Sequence, residues 1–236
     1  MRLPGPLSLV YLGYLLGFLP WMALRSARLL RARSDGTAAR ALPSRAAIWI
    51  NTLVAELLTL GLAWMAGREF GFAIFALPPQ GAREILAAIA ALGLHFLVRA
   101  ALRATRSDAE RRKLAVYKMA PRTALEWCFW SATVLLASVA EEAAYRGVGM
   151  SILWYSLGNP WAAALLCAVA FALAHAIQGW KSGLAIFSMA LIMHGLVAVT
   201  GSLVPAMIVH ALYDLAAGYR ISRDAARFEQ AAPAAP

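Results

Sequence analysis

Charge is what this 236-residue sequence has least of: 14% of its residues are charged, against 61% hydrophobic residues and a mean hydropathy of +0.64. A soluble globule of this length needs more polar surface than that, so the composition specifies an integral membrane protein. Lysine is scarcer still, three residues against nineteen arginines. With the abundant alanine, that bias matches a GC-rich bacterial genome and suggests a bacterial inner membrane. The only two cysteines, Cys128 and Cys167, lie in apolar stretches, so no disulfide framework is indicated and packing roles are expected. There is no HExxH or other compact metal-ligand motif, no internal repeat and no soluble domain. Matching Gly/Pro-broken segments, which would favour a transporter, are also missing.

What is present is a series of seven apolar segments, near 7–24, 46–66, 84–102, 127–146, 160–178, 183–200 and 202–219, each near the roughly 20 residues that cross a bilayer. The expected fold is an all-α membrane protein with seven spans in one polytopic domain over 1–236, its last four spans forming a compact bundle. The stretch Phe70 to Leu77, ended by Pro78-Pro79, raises the count to eight if it crosses; otherwise it is re-entrant, interfacial or an extension of its neighbour. The net charge of +10 would suggest nucleic acid in a soluble protein. Here the cations lie between the spans, where lipid orientation accounts for them and nucleic acid is not an expected partner. Residues 25–45 hold six arginines and one aspartate, and residues 99–122 hold eight cations and two acids. The positive-inside rule makes both connections cytoplasmic, which places the N-terminus outside and the C-terminus inside. The Ala/Pro-rich tail 230–236 is expected to be disordered.

Three fragments interrupt this apolarity: Glu141-Glu142-x-x-x-Arg146, Phe171-x-x-x-His175 and His210-x-x-x-Asp214. An ionisable group at mid-bilayer costs about 2.5 to 3.5 kcal/mol on insertion scales, so such groups are seldom kept there without a use. Residues four apart share a helix face, so Glu142 can pair with Arg146 while Glu141, about 100° around, points elsewhere. His175 is the expected companion that lets Glu141 act as a base on water, with Phe171 one turn earlier packing on its ring. An Asp214 carboxylate accepting from His210 would set the tautomer of that imidazole. Each fragment also has a plainer reading, as a structural ion pair or an interhelical hydrogen bond. That plainer reading is adopted for His95 and His194, which have no acidic companion in sequence. Glu56 and Glu126 could neutralise arginines or line a water path, and neither is assigned a role. Two histidines with several carboxylates could instead bind zinc, the candidate ligands being Glu141, His175 and His210. The same residue types also suit a small proton- or ion-coupled transporter.

In order and spacing the three fragments resemble the motifs of the CPBP family, the CAAX protease and bacteriocin-processing proteins, whose eukaryotic member is the Ras-converting CAAX endopeptidase. The resemblance spans 126–219. It implies a glutamic-type intramembrane endopeptidase that needs no metal cofactor and acts on a membrane-associated protein or peptide. By motif position, Glu141 would be the general base with His175, Glu142 and Arg146 would support the site, and Phe171 would shape it. His210 and the residue four later would stabilise the oxyanion. The family accepts Asn or Asp at that last position, and Asp214 matters because an ionised carboxylate donates nothing to an oxyanion. Asp214 is therefore expected to orient His210, which donates alone. A member with intact motifs could also serve as a binding or immunity protein. For Glu141 and His175 to meet, the fourth span must be long or tilted, beside a cavity open to the cytoplasm.

Overall fold

The computed structural model describes residues 4–34 and 44–230, and everything described is helix, turn or loop. The tail 231–236 and most of the first basic connection, 35–43, lie outside the described residues. Helix α1 runs unbroken through Pro6–Gly13, a π-helical turn Tyr14–Phe18, and Leu19–Ser34. Then come α2 (Arg45–Phe70), α3 (Ala82–Ala104) and two short helices, α4 (Asp108–Arg112) and α5 (Ala115–Lys118). Helix α6 is continuous over Ala124–Glu141, a π-helical stretch Glu142–Gly149, and Met150–Leu157. It is followed by α7 (Pro160–Ala174), α8 (Trp180–Thr200) and α9 (Val204–Gln230).

Among the described residues four helices are long and apolar enough to cross a membrane: Pro6–Leu29, Arg45–Phe70, Ala82–Ala104 and Trp180–Thr200. That is fewer than the seven expected, for local reasons. The apolar run of α7 lasts only 15 residues. In α6 the π-helical stretch, with Glu142 and Arg146, divides the run, and α9 turns basic from Arg220 onward. Residues 71–81 contain no helix, so Phe70 to Leu77 adds no further span. This stretch docks instead on the turn before α9, with the Ser202 hydroxyl donating to the Ala76 carbonyl at 2.7 Å and Ile74 buried.

The ends of α6 are written in its sequence. Thr123 and Glu126 form a capping box, and Glu126 also pairs with Arg45 at 3.0 Å, neutralising an arginine. Gly158, at φ +68°, stops the helix in a left-handed turn. Asn159 then caps α7 by accepting from the amides of Trp161 and Ala162, with Pro160 in the first turn where no amide partner is lost.

Lipid tails are as apolar as leucine, so helices associate in a membrane by close packing and polar contacts rather than by escape from water. Small residues make that approach possible here: Ala143, Ala144, Ala163, Ala168 and Ala190 are fully buried. A Cβ on Gly147 would meet Leu203 at 2.8 Å, and one on Gly149 would meet Leu15 at 2.7 Å. The Tyr11 hydroxyl donates to the Ala144 carbonyl at 2.8 Å, tying α1 to the π-helical stretch. Helices α6, α7, α8 and α9 contact one another in sequence order, and α9 returns to α6. The core is wider than those four, because α2 packs along α6 and α3 packs along α8 and α9. Cys167 is buried in this core, whereas Cys128 is exposed on α6.

Candidate functional site

The middle of α6 departs from regular α geometry at the residues that carry the first motif. A π-helical stretch widens the helix and occurs preferentially at functional sites. All eight residues from Glu142 to Gly149 are buried, Arg146 among them. Glu142 and Arg146 nonetheless meet, Nη1 to Oε1 at 3.2 Å, with both side chains sealed from solvent. The guanidinium also lies 4.2 Å over the Phe171 ring. A desolvated arginine is thereby held by one carboxylate and one aromatic face.

His175 sits just past the end of α7, where the chain leaves helical geometry. Its Nδ1 is 2.8 Å from the Phe171 carbonyl. A carbonyl can only accept, so Nδ1 carries the proton and donates, and Nε2 presents a lone pair. That Nε2 is 3.6 Å from Glu141 Oε1, and the Phe171 ring packs on the imidazole at 4.6 Å between centroids. Glu141 and His175 therefore face each other slightly beyond hydrogen-bond length, a separation that one bridging oxygen can occupy.

His210 completes the cluster from α9. Its Nδ1–H donates to Glu142 Oε1 at 2.8 Å, while Nε2 is 3.6 Å from both Glu141 Oε2 and Asp214 Oδ2. The carboxylate hydrogen-bonded to this ring is thus Glu142, not the expected Asp214. The reason is the π-helical stretch, which turns Glu142 inward to α9. Solvent access rises in steps across the cluster, from 0% for the Glu142 side chain through 4% for His210 and 13% for Glu141 to 23% for His175 and 37% for Asp214. Those steps separate residues a substrate can reach from residues it cannot.

The accessible members border a cavity of about 350 Å³, whose lining includes Glu141, His175, Asp214, Glu56, Trp49 and Trp130. Glu56 comes from α2 and has one buried carboxyl oxygen without a partner among the described residues. The buried indole N–H groups of Trp49 and Trp130 likewise lack acceptors. Glu56 was visible in the sequence as an intramembrane acid, but nothing there placed α2 beside α6. The two tryptophans carried no signal beyond composition. His95 is buried and His194 half-buried, and among the described residues neither makes the interhelical hydrogen bond expected of it: His95 has neither ring nitrogen hydrogen-bonded and stands edge-on to Tyr213 at 3.8 Å, and His194 Nε2 is buried without a partner. Among the described residues, no group of three or more His, Cys, Asp or Glu side chains is arranged to hold a metal ion.

Residues 123–216 match the family model for Rce1-like proteins, described as type II CAAX prenyl endopeptidases. This stretch is similar to the CAAX protease family. Neither a curated protein nor a solved structure matches the chain. The Rce1-like domain begins at the Thr123 cap of α6 and ends two residues after Asp214, so it holds all three motifs. The CAAX proteases are a protease family of membranes, and this chain supplies helices apolar enough to sit in one. Glu56, Trp49 and His95 lie on α2 and α3, outside the matched residues.

Proposed function

We propose that the protein is a glutamic-type intramembrane endopeptidase that hydrolyses a peptide bond of a membrane-associated protein or peptide. The observation that carries this reading is the pairing of Glu141 with a histidine whose tautomer is set by the Phe171 carbonyl, at the border of a cavity. A water between them would give one hydrogen to Glu141 and one to the Nε2 lone pair of His175, which aims its oxygen at a carbonyl in the cavity. Glu141 takes the proton as the oxygen attacks, and the carbonyl becomes a tetrahedral oxyanion. His210, holding both ring protons, donates Nδ1–H to Glu142 and Nε2–H to that oxyanion. Asp214 donates nothing in this scheme; its carboxylate balances the imidazolium from the side. Glu141 then passes its proton to the leaving nitrogen as the C–N bond breaks, and the new carboxyl terminus and amine leave.

In this reading seven spans cross a bacterial inner membrane, the N-terminus is outside, and the cavity opens to the cytoplasm near the basic connections. Glu142, Arg146 and Phe171 are positioning residues. A zinc ion held by Glu141, His175 and His210 would make turnover sensitive to chelators, and the proposal expects no such loss. The test is a comparison of protein termini in membranes from cells carrying the wild type or Glu141→Gln at equal expression. New termini seen only with the wild type would establish proteolysis and identify the substrate. A phenotype that survives Glu141→Gln with no new termini would point instead to a binding, immunity or transport role.

A further inference from the structure

One end of the helix bundle carries a concentration of cations that the proposed hydrolysis does not use. Where α9 crosses the end of α3, Arg103 pairs with Asp224 at 2.7 Å. Around this pair lies a cavity of about 50 Å³ lined by Arg99, Arg103, Arg106, Arg111, Lys181 and Arg220. Through Phe96, Arg103 and Arg220 it adjoins a groove of about 460 Å³ that adds Arg223 and Arg227. Asp224 is the only acid lining either space. Two more acids answer cations from outside the lining, Glu110 toward Lys181 at 3.2 Å and Asp108 toward Arg111. Arg106 has the Ser182 hydroxyl at 3.0 Å, and Arg99 lies over the Tyr213 ring at 6.0 Å. Among the described residues Arg99, Arg106 and Arg220 have no carboxylate within salt-bridge distance. Burial, and then the nearby Arg99, push the Arg106 guanidinium below its usual value.

The surroundings say which anion fits. Ile208 and Leu212, on the turns of α9 leading through Ala216 and Tyr219 to Arg220 and Arg223, are exposed apolar side chains on the face that runs into the groove. Trp180 and Tyr219 are also largely exposed, beside Lys181 and near Arg223, with each cation over the neighbouring ring. Exposed Trp and Tyr next to cations mark the level of lipid headgroups. A hydrocarbon-facing helix surface that ends in a cationic pocket has the shape of a phospholipid, and basic pockets between helices at this level recognise anionic headgroups. A free phosphate would gain nothing from the apolar approach.

We propose that the junction of α3, α9 and the start of α8 binds an anionic phospholipid, with its phosphate among Arg99, Arg106 and Arg220 and its acyl chains along Ile208 and Leu212 of α9. The site does not depend on the hydrolytic reading. It does touch the reaction cluster, because Arg99, Tyr213, Ala217 and Ile221 also line a cavity of about 100 Å³ that reaches His175, His210 and Asp214.

The test uses the full chain, reconstituted in vesicles of equal parts phosphatidylcholine and phosphatidylglycerol and then extracted in mild detergent. Retained lipid is identified by mass spectrometry. The wild type is expected to keep phosphatidylglycerol in preference. That preference should fall about fivefold for each of Arg99, Arg106 and Arg220 changed to glutamine. Arg68→Gln/Arg83→Gln, in the last turn of α2 and the first turn of α3, should leave it unchanged. Should the triple variant fail to fold, Arg106→Gln alone carries the same expectation. Equal retention of the two lipids by the wild type, or a preference that survives these changes, would overturn the proposal. So would binding of a short apolar peptide with a free carboxyl terminus, but not its amide, without any lipid preference, since the pocket would then belong to a substrate tail.

Discussion

Glu141 and Glu142 are neighbours in the chain and the same residue type, yet their surroundings differ in almost every respect. Glu142 is sealed, ion-paired with Arg146 and hydrogen-bonded by His210. Glu141 borders the cavity, has no hydrogen bond to any side chain, and stands 3.6 Å from each of two histidines. The difference divides the site into a sealed half, Glu142 with Arg146 and Phe171, and an accessible half, Glu141 with His175 and Asp214. Charge in the first half is held by the Glu142–Arg146 ion pair and the Phe171 ring, away from solvent. Charge in the second is left for water and substrate, and burial rather than residue type assigns the work.

The largest effect should come from the accessible half. Glu141→Gln is expected to lower the cleavage rate by about a thousandfold, within the usual range for a general base, without shifting the thermal unfolding midpoint. The sealed half should behave in the opposite way. Glu142→Gln leaves Arg146 charged and unpaired in the core, at a cost of about 3 to 5 kcal/mol, read by denaturant unfolding in detergent. Adding Arg146→Met to Glu142→Gln should restore most of that stability while activity stays low, because His210 has lost its carboxylate. If the double variant regains activity as well, the division into halves is wrong.

Smaller effects sharpen the boundary. His175→Gln should cost about a hundredfold in rate with little change in stability, since its ring is partly exposed and anchored only to a backbone carbonyl. Asp214→Asn should be mildest, within about tenfold, because Asp214 is the most exposed member and lies beyond hydrogen-bond length of His210. A loss as large as that of Glu141→Gln would move Asp214 into the chemistry itself.

The sequence made the helical class, the apolar segments and the three motifs legible, because helix periodicity and the cost of charge in lipid act locally. The Glu142–Arg146 pair followed from four-residue spacing, and the great length of α6 from the need to bring Glu141 to His175. Glu142 as a hydrogen-bond partner of His210 was not foreseen, because the helix packing that brings α6 against α9 is reported by no local pattern. Glu56 and Trp49 were out of reach for a similar reason, since they enter through the packing of α2 on α6. Among the described residues the helices long and apolar enough to cross number four, because charge and π geometry break the apolar runs of α6 and α9; the seven-span reading rests on the apolar segments themselves.

The central claim is that Glu141 is the base, and the most direct measurement is the cleavage rate of purified Glu141→Gln protein on a substrate found by terminus comparison. Wild type and variant are compared at equal amounts of folded protein in the same bilayer. The account predicts a loss of about a thousandfold at an unchanged unfolding midpoint. A Glu141→Gln protein that still cleaves within about tenfold of wild type would contradict it.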